Sequence, residues 1–251
     1  MPRFFVDREA FAEKKGCDEN SVVIRGEDAA HIALSLRMAV GETLVLSDGE
    51  GRDYDAVIAA VRPDAVTLSL RASRPSRSEP PYEATLYQCL PKGEKMETVI
   101  QKAVECGAAS IVPVLSSRCV AQLKAESREK KLLRWEKIAR EAAKQTGRGK
   151  LVPILPPLSY AQALREMADG DLSFLCYESE EETTLSAFLP EKEKMPGRIS
   201  FLIGPEGGLS DEEVLMARQE GIPSVSLGKR ILRTETASGF VLAVLAGHYE
   251  L

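Results

Sequence analysis

The chain has 251 residues, 44% of them hydrophobic, and a formal net charge of −5. This length allows one large hydrophobic core or two smaller ones. No apolar run reaches the roughly 18 to 20 residues that a membrane-spanning helix needs, and the first residues lack the long apolar region of a signal peptide. We therefore expect neither a membrane protein nor a secreted one, and we expect a cytoplasmic location.

The cysteines and histidines are too few and too scattered for a metal site. The chain has two histidines, and its five cysteines form no Cys-x-x-Cys pair. The small number and wide spacing of these residues predict that no metal is bound and that the cysteines are reduced and mostly buried. They are Cys17, Cys89, Cys106, Cys119 and Cys176.

Short segments of alternating polarity fill the first part of the chain. The alternation predicts strands at 42–47, 53–61 and 65–71, joined by hairpin turns at 48–51 and 62–64. Residues 27–37 are predicted to form one short helix among them. The pattern favours a small β-barrel or sandwich domain over residues 1–73.

A polar, proline-rich stretch at 74–82 is predicted to be a linker, because the pattern of predicted secondary structure changes after it. From residue 83 to 251, strand-like and helix-like segments alternate. This alternation predicts an α/β domain with a mostly parallel sheet. The predicted strands are 85–90, 110–115, 151–155, 172–177, 199–203 and 224–227, and the helices between them include 94–106 and 127–146.

Positive charge is concentrated in one segment. Between Arg118 and Lys150 the sequence has 11 Lys or Arg against 4 Glu, a local balance of +7 that leaves −12 for the rest. A solvated helix face with i,i+4 ion pairs would alternate in sign. The excess of one sign instead predicts an anionic partner.

Two apolar segments near the end of the chain stop abruptly at glycine. The turn at 204–208, Gly-Pro-Glu-Gly-Gly, follows one predicted strand, and Gly228 follows another. A helix is predicted after each turn: Ser210 is a candidate N-cap with acidic residues after it, and the last helix is predicted to begin at Thr234 or Glu235. Because glycine lets the main chain approach a ligand closely, the two turns predict a small-ligand pocket built from backbone groups.

The residues around this pocket exclude several chemistries. The turn has neither the Gly-Lys-Ser/Thr ending of a phosphate loop nor a Gly-x-Gly-x-x-Gly pattern, and the chain has no Gly-x-Ser-x-Gly elbow of a serine hydrolase. Glu206 would repel a pyrophosphate, so a cationic or zwitterionic ligand is favoured. Arg233 lies beside the pocket, where it either grips a planar or anionic group or pairs with Glu206 or Glu235.

Several motifs in order, along nearly the whole chain, resemble one family. They lie at 2–5, 31–38, 92–107, 141–148, 204–208 (Gly-Pro-Glu-Gly-Gly) and 227–237 (Leu-Gly-Lys-Arg-Ile-Leu-Arg-Thr-Glu-Thr-Ala). Together they resemble the bacterial ribosomal RNA small subunit methyltransferase E family, 16S rRNA uridine-N3 methyltransferases of the SPOUT superfamily. Relatives often carry Glu in place of Lys144 and an aromatic residue in place of Leu209, and neither departure removes a group assigned to chemistry.

This resemblance implies a fold and a reaction. It implies a PUA-like β-barrel that helps to hold RNA at 1–73, a linker at 74–82, and a SPOUT α/β domain with a deep trefoil knot at 83–251. It also implies methylation of N3 of a specific uridine with S-adenosylmethionine as the donor. The implied partners are 16S rRNA of the small ribosomal subunit and a second copy of the chain, because family members are homodimers whose active site uses residues of both subunits.

The resemblance also implies roles for individual residues. Arg233 would stabilise the developing uracil anion, while Glu206 would either accept a proton or shape its loop. The cofactor-binding residues would be Tyr177, Ile203, Gly204, Glu206, Gly207, Leu227, Gly228, Ile231, Leu232 and Ala237, with an apolar wall formed by Leu227, Ile231, Leu232 and Ala237. The RNA-binding residues would be Arg3, His31, Arg37, Lys92, Arg118, Gln145 and Arg148.

Two alternative functions stay open on the sequence. One is a knotted methyltransferase that acts on another RNA target, such as a transfer RNA base or ribose. The other is a catalytically silent RNA-binding assembly factor. The intact glycine turns argue against the silent protein, and binding of S-adenosylmethionine would separate it from both enzymes.

Overall fold

The computed structural model describes residues 1–6, 20–120 and 125–251, and the side chains from residue 128 onward in the last range. The chain separates into two units. The first consists of Met1–Glu79 and Ala143–Leu151, and the second of Pro80–Ala142 and Val152–Leu251. Residues 143–151 therefore belong to the first unit, although they fall inside the predicted domain 83–251. The domain limits drawn from the sequence remain a prediction.

The first unit contains a curled, five-stranded sheet in the order β1-β3-β4-β5-β2. Apart from the parallel pair β1 and β3, neighbouring strands are antiparallel. Leu44, Leu46, Ile58 and Leu68 are fully buried on its inner face. The strands are β1 (Arg3–Phe5), β2 (Ser21–Arg25), β3 (Thr43–Ser47), β4 (Arg52–Arg62) and β5 (Ala65–Pro75), so the predicted hairpin strands are confirmed.

The predicted helix at 27–37 is shorter and less regular than expected. An α-helix, α1 (Gly26–Ala30), changes into a π-helical turn at His31–Ser35. The chain then leaves the helix at Arg37, whose φ of 52° lies in the left-handed region. Ala29 and Ile32 are fully buried. Packing of these apolar side chains against the sheet fixes the helix, and the wider turn places His31 and Arg37 at the surface.

The segment Ala143–Leu151 is attached to the first unit by polar contacts. Glu79 accepts hydrogen bonds from Arg148 Nη2 at 2.8 Å and from the backbone N–H of Gly149 at 2.8 Å. Ser47 Oγ donates to the carbonyl of Gly149 at 2.9 Å. The predicted strand at 151–155 is wrong: only an isolated bridge joins Ile154 to Ile111. Pro153, Pro156 and Pro157 interrupt this stretch, and proline has no N–H for a ladder.

The second unit contains a six-stranded sheet in the order β11-β9-β10-β6-β7-β8. All of its neighbouring strands run parallel, which confirms the predicted sheet type. Phe174 and Phe201 are fully buried on adjacent strands, with ring centroids 5.9 Å apart. The strands are β6 (Glu83–Cys89), β7 (Ser110–Leu115), β8 (Leu158–Ser159), β9 (Leu172–Cys176), β10 (Arg198–Ile203) and β11 (Ser224–Val225).

Helices connect these parallel strands. The predicted N-cap is confirmed, because Ser210 and Glu213 form a reciprocal capping box at the start of α6. The final helix begins at Thr234, with Arg233 as its N-cap residue. The helices are α2 (Lys95–Glu105), α3 (Ala125–Thr146), α4 (Tyr160–Met167), α5 (Leu185–Phe188), α6 (Asp211–Gln219) and α7 (Thr234–Tyr249).

The carboxyl ends of three adjacent strands meet at one edge of this sheet. Cys176, at the end of β9, pairs in register with Ile203 of β10 on one side and with Val225 of β11 on the other. Ligands of parallel α/β sheets bind outside the carboxyl ends of the strands. The turns that leave these strands are therefore where a site is expected. The trefoil knot implied by the resemblance remains a prediction, and no helix in the described ranges is long and apolar enough to cross a membrane.

Candidate active site

A cavity of about 1060 Å³ lies at the carboxyl ends of β9, β10 and β11. This volume is at the upper end of the roughly 300 to 1,000 Å³ typical of small-molecule sites. The turns after the three strands line it, together with Lys95 from α2 and Thr234 and Ala237 from α7. All the residues predicted to bind the cofactor lie along this cavity, as does Arg233. The structure thus brings the predicted residues together, and their roles remain a prediction.

The glycine turn that follows β10 is held by hydrogen bonds to its carbonyl groups. Thr234 Oγ1 donates to the carbonyl of Gly204 at 2.7 Å. Arg118 Nη1 donates to the carbonyls of Gly207 and Leu209, at 3.0 and 3.2 Å. A Cβ atom at position 204 would lie 3.3 Å from Leu209 Cγ, so the turn closes tightly on itself. The main chain is thereby fixed where it faces the cavity.

A second loop, residues 116–119, supports this turn, and we call it the clamp loop. Glu213 accepts a hydrogen bond from Ser117 N at 2.7 Å with one carboxylate oxygen, and from Ser210 N at 2.9 Å with the other. Its carboxylate therefore joins the clamp loop to the residue that caps α6. Arg118 uses its guanidinium to hold the glycine turn, and its predicted contact with RNA remains a prediction.

The turn that follows β11 offers free backbone donors to the cavity. Gly228 has a φ of 102°, in the left-handed region, and nothing lies within 4 Å of the position of a Cβ there. Within the described ranges, the N–H groups of Leu227, Ile231 and Leu232 have no hydrogen-bond partner. Ile231 lines the cavity and is 87% exposed, and its part in the predicted apolar wall remains a prediction.

Arg233 is an exposed residue at the edge of the cavity. In the part of the chain that the structure describes, its guanidinium has no ion pair or hydrogen bond. The predicted alternative, pairing with Glu206 or Glu235, is wrong. Both carboxylates face Lys95 Nζ instead, at 2.8 Å for Glu206 and 3.8 Å for Glu235. The guanidinium of Arg233 is therefore available to a bound molecule.

Glu206 is engaged in holding its own loop. Its carboxylate accepts hydrogen bonds from Lys92 N at 3.1 and 3.3 Å and from Lys95 Nζ at 2.8 Å. Burial on its own raises the pKa of Glu206, but the Lys95 ammonium and the backbone donors outweigh it and hold that pKa below its usual value. A carboxylate with occupied oxygens and a low pKa is a poor proton acceptor. The structure thus favours the loop-shaping role over the catalytic one.

Three residues that hold this site were not assigned to it from the sequence. Gln88 Nε2 donates to Thr234 Oγ1 at 2.9 Å, which in turn donates to Gly204. Gln88 Oε1 is buried without a hydrogen-bond partner in the described ranges. In the sequence, Gln88 could have been noticed as an amide side chain within an otherwise apolar predicted strand. Lys95 and Thr234 lie in motifs that carry the family resemblance, but no role was assigned to either residue.

The remaining predicted contacts are one cofactor contact, Tyr177, and the contacts to RNA. Tyr177 donates from its hydroxyl to Asp211 Oδ1 at 3.0 Å while lining the cavity. The structure does not favour Arg3 and Arg148 as RNA contacts: Arg3 forms a two-pronged pair with Asp53, at 2.5 and 2.8 Å, and the side chain of Arg148 is 4% exposed. The predicted RNA-binding residues that are exposed are His31, Arg37, Lys92, Arg118 and Gln145.

No group of three or more His, Cys, Asp or Glu side chains that could hold a metal ion occurs in the described ranges. That no metal is needed remains a prediction. The groups that the structure places along the cavity include backbone donors, the guanidinium of Arg233 and the carboxylates near Lys95.

Comparison with known proteins places this site in a family. A model for an RNA methyltransferase domain matches residues 78–246, and one for an RNA methyltransferase PUA domain matches residues 24–71. The ribosomal RNA small subunit methyltransferase E of Bacillus subtilis is 33% identical over 100% of this chain and 98% of its own length. The protein of the same name from Synechocystis is 32% identical over 90% of this chain and 72% of its own length.

A solved structure agrees with these sequence matches. The crystal structure of a ribosomal RNA small subunit methyltransferase E from Neisseria gonorrhoeae, bound to S-adenosyl methionine, superposes with a TM-score of 0.85. It is 29% identical, and the match covers 99% of this chain and 98% of that one. The family models, the full-length relatives and the two folded units agree with one another. The chain belongs to the ribosomal RNA small subunit methyltransferase E family, with a SPOUT-type fold.

Proposed function

We propose that this chain transfers a methyl group from S-adenosylmethionine to N3 of a specific uridine in the 16S rRNA of the small ribosomal subunit. The observation that carries the proposal is the cavity of about 1060 Å³ where three strand-end turns meet beside an unpaired arginine. The names of the relatives support the substrate, and the bound S-adenosyl methionine of the Neisseria structure supports the donor.

The residues around the cavity fit this cofactor. The free N–H groups of Leu227, Ile231 and Leu232 are suited to read the edge of an adenine ring. Gly204 and Gly228 let the main chain come close to a ligand, and Ala237 adds a small apolar surface. When it is bound, S-adenosylmethionine supplies a methyl group on a positively charged sulfur. The carboxylates that line the cavity, among them Glu178 and Glu206, suit a ligand of that charge.

The protein's main task is to align the reacting groups and to exclude water. The network from Gln88 through Thr234 to Gly204 fixes the main chain on one side of the cavity. Arg233 begins the final helix at the cavity edge, where its guanidinium can donate hydrogen bonds to O2 or O4 of the uracil. As N3 loses its proton, negative charge spreads onto these oxygens, and Arg233 stabilises that charge as an oxyanion hole does.

The partners follow from the same proposal. RNA of the small subunit is the substrate, and the target uridine leaves its stack to reach the cavity. A homodimer completes the active site, and no metal takes part. On the second unit, Lys92 and the exposed basic residues of α3 provide contacts to phosphate. On the first unit, His31, Arg37 and Gln145 are placed at the surface for the same purpose.

The alternatives are less well supported. A silent assembly factor has no need for a closed glycine turn held by three carbonyl contacts at 2.7, 3.0 and 3.2 Å. A different RNA target does not agree with relatives that carry the name of the small-subunit enzyme and match this chain over 98% and 72% of their own length.

The test is a methylation assay with radiolabelled S-adenosylmethionine and small ribosomal subunits from a strain that lacks this modification. We expect label in 3-methyluridine at one site after digestion to nucleosides. Arg233→Ala should lower kcat by about 100- to 1,000-fold, the usual cost of losing an oxyanion-hole donor. Binding of S-adenosylmethionine, measured by calorimetry, should change little.

The matched control is Arg198→Ala. Arg198 is an exposed arginine at the opposite end of β10, with a side chain that is 62% exposed. We expect its loss to leave the rate unchanged. Label on ribose or on another base would overturn the proposed target, and absence of both label and cofactor binding would overturn the enzyme.

A further inference from the structure

Two cysteines lie next to each other where the clamp loop meets the sheet. Cys89 is the last residue of β6 and pairs in register with Val114 of β7. Cys119, in the clamp loop, places its sulfur 3.7 Å from the carbonyl oxygen of that same Val114. Cys119 also packs against the hydrophobic cluster that contains Cys89. Both thiols therefore flank one residue of β7 and belong to the same packed region.

The two thiols differ in access and in reactivity. Cys89 is fully buried, whereas Cys119 is half-buried beside the exposed residues Arg118 and Val120. The hydrogen bond from Cys89, together with those from the Ser116 hydroxyl at 3.2 Å and its backbone N–H at 3.4 Å, lowers the pKa of Cys119 to about 6. Burial raises the pKa of Cys89. Cys119 is thus an accessible thiolate near neutral pH, the form that reacts with oxidants, with a second thiol beside it.

We propose that Cys119 and Cys89 form a dithiol that a hydroperoxide oxidises to an intramolecular disulfide. In the first step the Cys119 thiolate attacks the peroxide, so that an S–O bond forms and the O–O bond breaks. The leaving hydroxide or alkoxide takes a proton from solvent and departs as water or an alcohol. In the second step the Cys89 sulfur attacks the Cys119 sulfenic acid, the S–S bond forms, and the hydroxyl leaves as water with the Cys89 proton. Two thiols lose two electrons, and the peroxide gains them.

The disulfide acts on the cofactor cavity through the clamp loop. An S–S bond of about 2.05 Å is much shorter than any non-bonded contact between two sulfur atoms, so Cys119 must move toward β6. That movement breaks its hydrogen bonds to Ser116 and displaces the adjoining Arg118. Arg118 holds the carbonyls of Gly207 and Leu209, so the glycine turn loses its support. Oxidation should therefore weaken cofactor binding. This coupling rests on the proposed function, whereas the thiol chemistry does not.

The other described cysteines are less suited to this chemistry. Burial and the nearby carboxylate of Glu105 raise the pKa of Cys106. Burial also raises the pKa of Cys176, which lines the cavity. Because a protonated thiol is a poor nucleophile, a peroxide should select Cys119 first. Cys106, half-buried like Cys119, is the natural control position.

The experiment treats the reduced full-length protein with a small excess of hydrogen peroxide and follows free thiols over time. Peptide mapping should find Cys89 joined to Cys119, with a mass two hydrogens lower, and dithiothreitol should reverse it. Calorimetry on the oxidised protein should show at least about fivefold weaker binding of S-adenosylmethionine, the lower end of usual couplings between sites. Cys119→Ser should prevent both changes, and Cys106→Ser should prevent neither.

Different results would contradict the dithiol and its coupling to the cavity. Oxidation that appears first at Cys106 or Cys176, or thiol loss that is equally fast in Cys119→Ser, would overturn the dithiol. A disulfide that leaves the affinity for S-adenosylmethionine unchanged would overturn the coupling to the cavity. Methylation by the reduced protein is measured in parallel. A failure of the proposed function is then recognised separately from a failure of the dithiol chemistry or of its coupling to the cavity.

Discussion

At the scale of single residues, this cavity depends on buried polar atoms as much as on charges. Thr234 is 6% exposed, and its hydroxyl accepts from Gln88 Nε2 and donates to the carbonyl of Gly204. One oxygen atom therefore connects β6, the glycine turn after β10 and the first residue of α7. No charge is involved, so the connection is insensitive to salt and is lost only when the hydroxyl is removed.

Thr234→Val keeps the shape of the side chain and removes this oxygen. The carbonyl of Gly204 and one N–H of Gln88 then lose a buried partner, which should lower the free energy of unfolding by about 1 to 3 kcal/mol. The affinity for S-adenosylmethionine should fall with it, and Thr234→Ser should restore both. Urea unfolding and calorimetry measure the two effects, with Thr236→Val, an exposed position in the same helix turn, as the control. Equal effects at 234 and 236 would contradict this role.

The residue scale also shows what the sequence could and could not indicate. The turn at 204–208 was predictable because glycine preference and N-cap chemistry at Ser210 are local properties of the chain. The pairing of Glu206 with Lys95 was not, since those residues are far apart in sequence and only the tertiary fold joins them. For the same reason, the sequence did not indicate that the exposed Arg118 donates to the carbonyl of Gly207 or that Arg148 is buried against the carboxylate of Glu79.

At the scale of elements, the strands with a regular pattern were predicted within two residues of their ends, except for β5, which continues four residues beyond the predicted 65–71. Irregular segments were not predicted. The predicted strand 110–115 coincides with β7. The stretch 151–155 has apolar residues at strand-like spacing, but Pro153 within it and Pro156 and Pro157 after it prevent a ladder. The preceding loop attaches to the first unit through Glu79. A pattern of hydrophobic residues predicts which side chains are buried. It does not show where proline removes the backbone N–H that a strand ladder needs.

Glu79 is the polar anchor of that loop. Burial by itself raises the pKa of Glu79, but the hydrogen bonds and charge of Arg148 and the N–H groups of Gly149 and Lys150 hold it below its ordinary value of 4.5. A carboxylate with a lowered pKa stabilises the fold above the unfolded-state pKa, and this stabilisation is lost as the pH falls through the folded-state pKa.

Glu79→Gln should therefore destabilise the protein most at neutral pH. The guanidinium of Arg148, 4% exposed, would keep its burial and lose its counter-charge, at a cost of about 3 to 5 kcal/mol in the free energy of unfolding. The difference from the unchanged protein should shrink as the pH falls below 4.5 and through the lowered folded-state pKa of Glu79, because its carboxylate becomes protonated there. Urea unfolding at neutral and at acidic pH measures this. Asp64→Asn, in the exposed pair with Arg62, is the control and should cost at most about 1 kcal/mol. A difference that grows in acid would contradict the argument.

At the scale of the whole molecule, the distribution of charge matters more than its sum. The net charge of −5 argues against an RNA partner, yet the segment from Arg118 to Lys150 carries a local +7. The structure uses part of that excess internally: Arg134 lies 2.8 Å from Glu97, and Lys144 lies 2.9 Å from Asp28. Lys130 and Lys131 are exposed and have no partner in the described ranges, so they are free to contact phosphate. We expect the acidic remainder to limit binding to RNA that reaches these positions.

Salt dependence separates a phosphate contact from a change in overall charge. Each phosphate contact contributes about −0.7 to −0.9 to the slope of log K against log salt, so the double variant Lys130→Gln and Lys131→Gln should bind small ribosomal subunits with a shallower slope by about one to two units. The double variant Lys192→Gln and Lys194→Gln removes the same charge from another exposed segment. Its slope should stay unchanged. Filter binding over a series of salt concentrations measures the slope for both double variants. Equal slopes would show that the lysines of α3 act only through the net charge of the protein and make no contact with the RNA.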